Sequence, residues 1–299
     1  MQEHVGAPPV VIVTGGSSGI GRATAVAYAE RGAHVVVAAR GQELLDQAVA
    51  ACEAAGAASA TAVRTDVRDD ADVRRLVEGT RDRLGRVDVV VHSAMVMAYG
   101  NIEELPLEVY TAVVDTALHG TAHVARSALP IFREQGGGSL VIVTSLLASV
   151  AVPGIGAYVS GKWGQAGLAR VLQLETRDEP GIQVATVAPG AIDTPIYTRA
   201  ANVEGRPGKP PPPVDPPEKV ARAILRTVDR NSSRTSVGTL NPLVVAGFRF
   251  ATPIYARLVG PLYRQFAHSR DVIAATTGNV LSWSRPDDAG TRVGGDRAA

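Results

Sequence analysis

Short runs of Val, Ile and Ala alternate with longer helical patterns through the first 190 residues. The runs show little polar alternation, which is typical of strands buried on both faces of a parallel sheet. Strict alternation of such strands with helices predicts an α/β fold, a doubly wound and mostly parallel sheet with helices on both faces. The predicted strands are Val10–Thr14, His34–Ala39, Ser59–Arg64, Val87–Ser93, Leu140–Ser145 and Gln183–Ala188. The predicted helices are Ile20–Arg31, Gln42–Ala55, Asp70–Leu84, Glu108–Glu134 and Ala157–Arg177.

A proline-rich segment marks a change of pattern after residue 189. Residues 207–217 read PGKPPPPVDPP, and seven prolines in eleven residues exclude a helix or an inner strand. An amphipathic helix pattern, Glu218–Asp229, and a short strand pattern, TSVGT, follow it, and they are too small for a second core. We therefore expect one domain, residues 1–230, in which the loop 190–217 passes over the sheet edge and covers a binding site. The alternative is a stiff linker between two domains.

The last part of the chain is expected to form an extension of this domain. Residues 231–283 should be helical, and the polar, glycine-rich residues 284–299 should form a flexible tail. The apolar stretch Leu243–Phe266 is interrupted by Arg249, Arg257, Arg264 and Pro253. Its uninterrupted apolar runs are therefore too short for a membrane helix. The region Pro242–Ser269 could cap a substrate cleft, contact another subunit or lie on a membrane surface. Membrane contact is the least favoured of the three.

Charge and cysteine content exclude several classes of protein. The net charge of +1 gives no electrostatic footprint for nucleic-acid binding. The single cysteine, Cys52, rules out an internal disulfide and a cluster of thiolate zinc ligands, so we expect no metal and a reducing, cytoplasmic location. The N-terminal residues MQEHVGAPPV lack the basic start and apolar run of a signal peptide. These exclusions favour a small-molecule ligand.

A glycine-rich turn joins the first predicted strand to the first predicted helix. It reads Gly15-Gly-Ser-Ser-Gly19-Ile-Gly21. Glycines let the backbone turn tightly and approach a pyrophosphate, and the following helix points free N–H groups and the positive end of its dipole at the anion. In this strand–turn–helix context we predict dinucleotide binding, with a purely structural turn as the alternative.

The ends of the second and third predicted strands bear on which dinucleotide is bound. An acidic residue after the second strand would accept bonds from the ribose 2′-hydroxyl of NAD, but the sequence there is Ala38-Ala39-Arg40. Arg40 would pair with a 2′-phosphate, which predicts NADP(H); the alternative is a solvated surface arginine. Asp66, after the third strand, would accept a bond from the adenine amino group or would be a turn aspartate.

Three polar residues in the second half of the sheet pattern predict catalysis. Tyr158 and Lys162 lie four residues apart on one face of a predicted helix, a spacing that chance rarely produces with only three lysines in the chain. A fixed ammonium group stabilises a nearby phenolate, which makes the tyrosine a usable acid and base. Ser145 ends the fifth predicted strand, where its hydroxyl could hydrogen-bond a substrate oxygen, or could merely cap a turn. We predict all three to be catalytic.

These motifs together resemble the short-chain dehydrogenase/reductase (SDR) family. The resemblance rests on TGGSSGIG at residues 14–21, Ser145, Tyr158-x-x-x-Lys162, and Pro189-Gly190 with Thr194, and it covers about residues 8–230. It implies a Rossmann-type sheet of about seven strands, a nicotinamide cofactor, hydride transfer between an alcohol and a ketone or aldehyde, and a homodimer or homotetramer. In such an oligomer the helices predicted over residues 108–134 and 157–177 would form the interface. The residues implied to contact the cofactor are Gly15, Ser17, Ser18, Gly19, Ile20, Gly21, Arg40, Asp66, Val67, Ser93, Ala94, Tyr158, Lys162, Pro189, Gly190, Ile192 and Thr194.

The chain departs from the family pattern in two places, a four-residue segment and a single residue. His92-Ser-Ala-Met95 stands where the family usually has Asn-Asn-Ala-Gly, and Ala117 stands where the family has an asparagine that helps to hold a proton-relay water. An alanine methyl group cannot hold that water. Ser93, Thr116 or His119 could supply another proton path. The alternative is that these polar residues are structural and the relay is slower.

The sequence therefore predicts an NADP(H)-dependent oxidoreductase that acts on a small hydrophobic alcohol or carbonyl compound. The apolar residues expected around the substrate are Leu146, Leu147, Val152, Pro153, Ile155, Ile192, Pro195, Ile196 and Tyr197. The alternative is an NADP(H)-binding regulatory or scaffold protein with weakened catalysis, as the alanine at position 117 would allow.

Overall fold

The computed structural model describes residues 7–283. The expectations for residues 1–6 and for the tail, residues 284–299, lie outside the described residues. Within the described part, seven strands form one parallel sheet with helices on both faces, which confirms the predicted fold class.

The order of the strands explains where a ligand can bind. The strands of the central sheet are β1 (Val10–Thr14), β2 (His34–Ala39), β3 (Ser59–Arg64), β4 (Val89–His92), β5 (Gly138–Val143), β6 (Ile182–Pro189) and β7 (Arg234–Val237). The α-helices of the described residues are α1 (Gly19–Ala29), α2 (Gln42–Ala54), α3 (Asp70–Leu84), α4 (Leu107–Val114), α5 (Gly120–Gln135), α6 (Gly156–Glu175), α7 (Pro217–Asp229), α8 (Asn241–Phe250) and α9 (Thr252–Phe266). The strand order is β7-β6-β5-β4-β1-β2-β3, and every neighbouring pair is parallel. The order reverses between β1 and β4, so a crevice opens at the C-terminal ends of these strands.

Burial on both faces accounts for the unbroken apolar strands. All five residues of β1 are buried; Val11 and Val13 face one core and Ile12 faces the other. Helices α1, α2 and α7 cover the first core, and α3, α5 and α6 cover the second. A strand between two such layers has no polar face, so its sequence shows no alternation.

The helix predicted over Glu108–Glu134 is interrupted. A π-helical turn, Asp115–His119, joins α4 to α5. In a π-helical turn each backbone hydrogen bond spans five residues instead of four. The helices on both sides keep their apolar periodicity, so the sequence pattern did not reveal the turn. The turn packs tightly against α6, where a Cβ on Gly161 would lie 2.8 Å from the Cβ of Ala117.

Two strands are displaced from their predicted bounds. The fourth strand is Val89–His92, shorter at both ends than predicted, and β5 begins at Gly138 and ends at Val143. Ser145 therefore lies just beyond the strand, where its side chain caps a short 3-10 turn, Leu146–Ala148. The backbone is still extended at Ser145 and the Thr144 N–H still bonds to the Val187 carbonyl of β6, so the predicted strand ran past the last paired residue.

The proline-rich loop folds back onto the residues that follow β6 rather than leading to a second domain. Val214–Asp215 pairs in parallel with Ala191–Ile192, and α7 begins directly afterwards at Pro217. The linker alternative is therefore wrong. Strand β7 follows α7 and pairs with β6, so the domain boundary placed at residue 230 falls one strand too early.

Helices α8 and α9 lie over the loops at the C-terminal edge of the sheet. The Tyr255 hydroxyl donates to the Ala151 carbonyl (2.8 Å), and the Tyr263 hydroxyl donates to the Glu204 carboxylate (2.9 Å). These contacts attach both helices to the domain, and the three roles considered above for this region stay open. Residues 267–283 contain no helix, which corrects the expectation of a helical extension for that stretch. None of the described helices is long and apolar enough to cross a membrane.

Candidate active site

A cleft that is open to solvent runs along the C-terminal edge of the sheet. It lies where the strand order reverses, as ligand sites of doubly wound folds do. The predicted site residues that line it are Gly15, Ser17, Ser18, Gly19, Ile20, Arg40, Asp66, Val67, Ser93, Ala94, Ser145, Tyr158, Lys162, Pro189, Gly190, Ile192 and Thr194. Of the residues predicted to bind the cofactor or to act in catalysis, Gly21 alone does not line the cleft.

The glycine-rich turn forms one wall of the cleft. Gly15 has a φ of 67°, and a Cβ there would lie 2.8 Å from the backbone of Ala94. A Cβ on Gly21 would lie 2.2 Å from the Gly15 carbonyl oxygen, so this glycine allows the turn to close beneath the helix. Ser18 is the N-cap residue of α1, and its side chain makes no capping hydrogen bond. The N–H groups of the first turn are thus left for a ligand, as a phosphate site requires.

Ser145, Tyr158 and Lys162 meet at the other end of the cleft, and all three are buried. A hydrogen-bonding interaction with Ser145 acts to lower the pKa of Tyr158. Ser145 Oγ also accepts a bond from the Leu147 N–H at 3.1 Å. Lys162 Nζ lies 5.7 Å from the centre of the Tyr158 ring. Burial raises the pKa of Tyr158 and outweighs the opposite effect of the Ser145 hydrogen bond, so the hydroxyl carries its proton at neutral pH.

Lys162 is held by two neutral oxygen atoms. Its Nζ donates to the Val143 carbonyl at 2.9 Å and to Gln165 Oε1 at 2.8 Å. The Gln165 amide is itself fully buried, and its Nε2 donates to Thr121 Oγ1 at 2.8 Å and to the Ala117 carbonyl at 3.3 Å. Gln165 therefore connects the lysine to the π-helical turn. The sequence interpretation missed it, although a polar residue three positions after Lys162 lies on the same helix face.

Burial lowers the pKa of Lys162 to about 7. The two acceptors that hold the ammonium group carry no net charge, so nothing offsets the loss of hydration. Small changes in its surroundings therefore decide whether this lysine is charged at physiological pH.

His92, at the end of β4, is neutral and lies below the site. Its Nδ1 is 2.9 Å from Thr14 Oγ1, across the β1–β4 pair, and its Nε2 is buried without a partner among the described residues. Burial, with a smaller contribution from the charge of Lys162, lowers the pKa of His92 to about 3. The residue that replaces the first family asparagine is thus a structural imidazole between two strands.

The three groups considered for a proton path occupy different places. Ser93 and Thr116 line the cleft, and the Thr116 hydroxyl donates to the Ala112 carbonyl at 2.7 Å. The side chain of His119 is 60% exposed, pairs with Asp115 at 2.7 Å, and does not line the cleft. His119, in the π-helical turn, points outward. Of the three groups, only the Ser93 and Thr116 hydroxyls line the cleft.

The adenosine end of the expected dinucleotide site is rich in arginine. Arg40 lines the cleft and donates to the backbone carbonyls of Val280, at 3.2 Å, and Asn279. Arg68 pairs with the Asp66 carboxylate at 2.6 Å. Burial acts to raise the pKa of Asp66, but the hydrogen bonds and charge of Arg68 outweigh it and keep the carboxylate ionised.

Apolar side chains surround the end of the cleft near Tyr158. The cleft-lining residues there are Ile192, Pro195, Ile196 and Tyr197, as predicted, together with Met95 and Val96. Behind them Leu147, Val152 and Ile155 belong to the hydrophobic cluster that contains Tyr158 and Tyr263 of α9. Leu146 and Pro153, also predicted, do not line the cleft. No group of three or more His, Cys, Asp or Glu side chains in residues 7–283 could hold a metal ion.

Comparison with known proteins agrees with this geometry. A family model described as short chain dehydrogenase matches residues 9–204. The chain belongs to the short-chain dehydrogenase family. It is accordingly an NAD(P)-dependent oxidoreductase, and members of this family act on small molecules.

Three similar proteins illustrate the family relationship. A protein of Mycobacterium tuberculosis named as an uncharacterized NAD-dependent oxidoreductase is 34% identical over 242 residues, which are 72% of this chain and 87% of that protein. The crystal structure of a short-chain dehydrogenase from Streptomyces avermitilis has 30% identity and a TM-score of 0.71, covering 87% of this chain and 97% of that one. An alcohol dehydrogenase from the archaeon Thermococcus sibiricus, complexed with 5-hydroxy-NADP, has 26% identity and a TM-score of 0.66, covering 78% and 95%.

Proposed function

We propose that this short-chain dehydrogenase interconverts an alcohol and a ketone or aldehyde, with NADP(H) as its preferred cofactor and Tyr158 as general acid and base. The observation that carries the proposal is the meeting of three buried groups, Ser145, Tyr158 and Lys162, in one cleft with the glycine-rich turn. A regulator that only binds a dinucleotide would need the turn but not this arrangement of polar groups.

The residues of the cleft fit each part of a nicotinamide dinucleotide. The N–H groups at the start of α1, with Ser17 and Ser18, would hold the pyrophosphate. The adenosine would lie near Arg40 and Asp66, and Lys162 would anchor the nicotinamide ribose. The remaining proposed contacts are Gly15, Gly19, Ile20, Val67, Ser93, Ala94, Tyr158, Pro189, Gly190, Ile192 and Thr194. When bound, the nicotinamide supplies or accepts the hydride.

The side chains of the chain supply the proton and stabilise charge. In carbonyl reduction Tyr158 donates its proton to the substrate oxygen, and its raised pKa keeps that proton available. The Ser145 hydroxyl donates a hydrogen bond to the same oxygen and stabilises the negative charge that develops there. In alcohol oxidation the Tyr158 phenolate accepts the proton, and the ammonium group of Lys162 stabilises that phenolate.

Proton exchange with solvent follows a different path from the usual family relay. Ala117 offers only its carbonyl, which already accepts bonds from Thr121 and Gln165. Ser93 and Thr116 are the hydroxyls through which the Tyr158 proton would be replaced. The alternative is that these hydroxyls are structural and the relay is slower. A Thr116→Ala variant with unchanged turnover would favour that alternative.

The preference for NADP(H) rests on the end of β2. No carboxylate stands there to bind a ribose 2′-hydroxyl, and Arg40 can pair with a 2′-phosphate. The related enzyme of Thermococcus sibiricus is complexed with an NADP analogue, whereas the related protein of Mycobacterium tuberculosis is named as NAD-dependent. Relatives therefore do not decide the cofactor, and the guanidinium group of Arg40 is the argument for NADP(H).

The substrate, the assembly and the location extend the proposal. The apolar wall near Tyr158 supports a small hydrophobic substrate.

A homodimer or homotetramer through α4–α5 and α6 is supported by apolar side chains exposed on these helices, Leu107, Val171 and Leu174. Light scattering of the purified protein tests the assembly. A cytoplasmic location is supported by the buried free thiol of Cys52, which suits a reducing compartment.

Turnover with a panel of apolar ketones and alcohols tests the proposed activity. The purified protein is first titrated with NADPH and NADH, and each substrate is then tested with the better cofactor. We expect tighter binding of NADPH and turnover of at least one apolar ketone or alcohol that Tyr158→Phe abolishes. Tight cofactor binding without any Tyr158-dependent turnover across the panel would favour the regulatory alternative.

A further inference from the structure

A C-terminal segment, Thr276–Trp283, crosses the mouth of the cleft at its adenosine end, and we call it the strap. On one side it is attached to residues 199–202. Asn202 and Thr276 exchange two backbone hydrogen bonds, of 2.8 and 2.9 Å, and the Asn279 N–H donates to the Arg199 carbonyl at 3.0 Å. The strap is therefore part of the folded domain and not a loose end.

On its other side the strap is attached to two arginines that follow β2 and β3. Arg40 donates to the carbonyls of Asn279 and Val280, and Arg68 donates to the carbonyl of Leu281 at 3.0 Å. The Val280 side chain is completely buried between these attachments. Because it is bonded on both sides, the strap crosses the cleft beside Arg40, the residue proposed above to pair with the 2′-phosphate.

The strap ends with an indole ring against the N-cap of α2. Trp283 lines the cleft together with Arg40 and Asp66, and a Cβ on Gly41 would lie 1.9 Å from its Nε1. Only a glycine at position 41 leaves room for the ring. The Nε1 atom is buried and donates to no acceptor among the described residues. Most buried donors in native proteins are paired, and this one belongs to a side chain that lines the cleft, which favours an acceptor on a ligand.

We propose that the strap is the outer wall of the adenosine end and that Trp283 donates its indole N–H to the 2′-phosphate of NADP(H). This inference rests on the cofactor preference proposed above. Arg40 uses two of its five N–H donors on the strap carbonyls, so it keeps donors for the same phosphate. The arginine supplies the charge and the tryptophan a directed neutral donor. Trp283 thereby determines cofactor specificity together with Arg40, although the two residues are more than 240 positions apart in the sequence.

Adenosine fragments test this end of the site without involving catalysis. Adenosine 2′,5′-bisphosphate and adenosine 5′-monophosphate are titrated calorimetrically into the wild type, Trp283→Phe and Trp163→Phe. Phenylalanine keeps a packed ring and removes the donor. Trp163 is the matched control, because it donates to the Val150 carbonyl and does not line the cleft. Thermal unfolding of each variant confirms that it is folded.

The two ligands separate the possible results. We expect Trp283→Phe to weaken the bisphosphate about 10-fold and to leave the monophosphate nearly unchanged, since only the former offers a 2′-phosphate to the lost donor. Unchanged binding, an equal loss for both ligands, or tighter binding of the bisphosphate would overturn the inference. Tighter binding would mean that the strap competes with the phosphate. Equal affinity of the wild type for the two ligands would instead contradict the cofactor preference itself.

Fluorescence gives a second readout of the same contact. In Trp163→Phe the remaining tryptophan is Trp283. Neither adenosine ligand absorbs at the emission wavelength of tryptophan, so a change must come from a change around the ring. We expect the bisphosphate to alter the emission of Trp283 at saturation. Unaltered emission at saturation would place the ring away from the ligand and overturn the inference.

Discussion

The two ends of the cleft are held together by different kinds of contact. At the catalytic end, Ser145, Tyr158 and Lys162 lie within eighteen residues of one another, on the loop after β5 and on the helix α6 that packs beside it. At the adenosine end, Arg40 bonds to backbone carbonyls about 240 residues away. The groups proposed for catalysis are thus positioned by one strand and one helix. The surroundings of Arg40, the residue proposed to discriminate between cofactors, depend instead on how the end of the chain returns. Substitutions at four positions test this difference.

Replacing Tyr158 with Phe is expected to have the largest effect. Loss of the proton donor should lower kcat at least about 10³-fold, whereas the Kd for NADPH should change little, because the ring remains in place. Steady-state kinetics and cofactor titration measure the two quantities. Tyr110→Phe is the control, since its hydroxyl does not line the cleft. A Tyr158→Phe variant that keeps a tenth of the wild-type kcat would show that another group donates the proton.

Ser145→Ala should come next, with kcat reduced about 10²- to 10³-fold and a smaller change in KM. Its hydroxyl is needed most when negative charge develops on the substrate oxygen, so its loss raises the barrier more than it weakens substrate binding. Ser149→Ala in the same loop, which does not line the cleft, is the control. If KM rises and kcat stays the same, Ser145 contributes to binding and not to the reaction.

Arg40→Ala tests the other end of the cleft. A lost hydrogen bond to a charged group should weaken NADPH about 10- to 100-fold and leave NADH within about 3-fold. Arg64→Ala, on the exposed end of β3, is the control for a change in overall charge. Equal losses for both cofactors would mean that Arg40 matters for attaching the strap and not for recognising a phosphate.

Gln165 connects the catalytic end to the π-helical turn, and two substitutions of it should move the pH dependence in opposite directions. Burial already lowers the pKa of Lys162 to about 7. Gln165→Leu removes one hydrogen-bond acceptor and should lower the pKa of Lys162 further. As the pH rises, activity that needs the charged lysine should then be lost at a lower pH than in the wild type. Gln165→Glu places a carboxylate beside the ammonium group and should raise the pKa, so activity persists to higher pH.

The expected size of these shifts is about one pH unit, with kcat at the optimum reduced about 10-fold in the leucine variant. Profiles of kcat/KM against pH measure both. Gln173→Leu, on the same helix but bonded to carbonyls of β6 and residue 233, is the control. Two variants with the same shift, or with none, would show that Gln165 has only a packing role.

The central part of the fold could be predicted from the sequence because its signals are local. The five buried residues of β1, the glycines of the following turn and the spacing from Tyr158 to Lys162 all lie within short stretches of chain. Each pattern has one common structural solution, a buried parallel strand, a phosphate-binding turn or a shared helix face. The alternation of strands and helices predicts that the sheet is parallel and doubly wound, whereas the order of its strands comes from the structure.

Features that depend on distant contacts could not be read in this way. The π-helical turn leaves no mark on the periodicity of its flanking helices. Gln165 differs from any polar helix residue only in being buried between Lys162 and the Ala117 carbonyl. The outward orientation of His119 follows from the same turn.

The sequence by itself determined the doubly wound sheet, the turn for a dinucleotide and the three groups proposed for catalysis, since each depends on neighbours in the chain. The tertiary structure alone decided that β7 completes the sheet, that α9 bonds to the Glu204 carboxylate and that the strap brings Trp283 to Gly41 beside Arg40. Contacts across 240 residues arise from the path of the folded chain, and no short sequence pattern records that path.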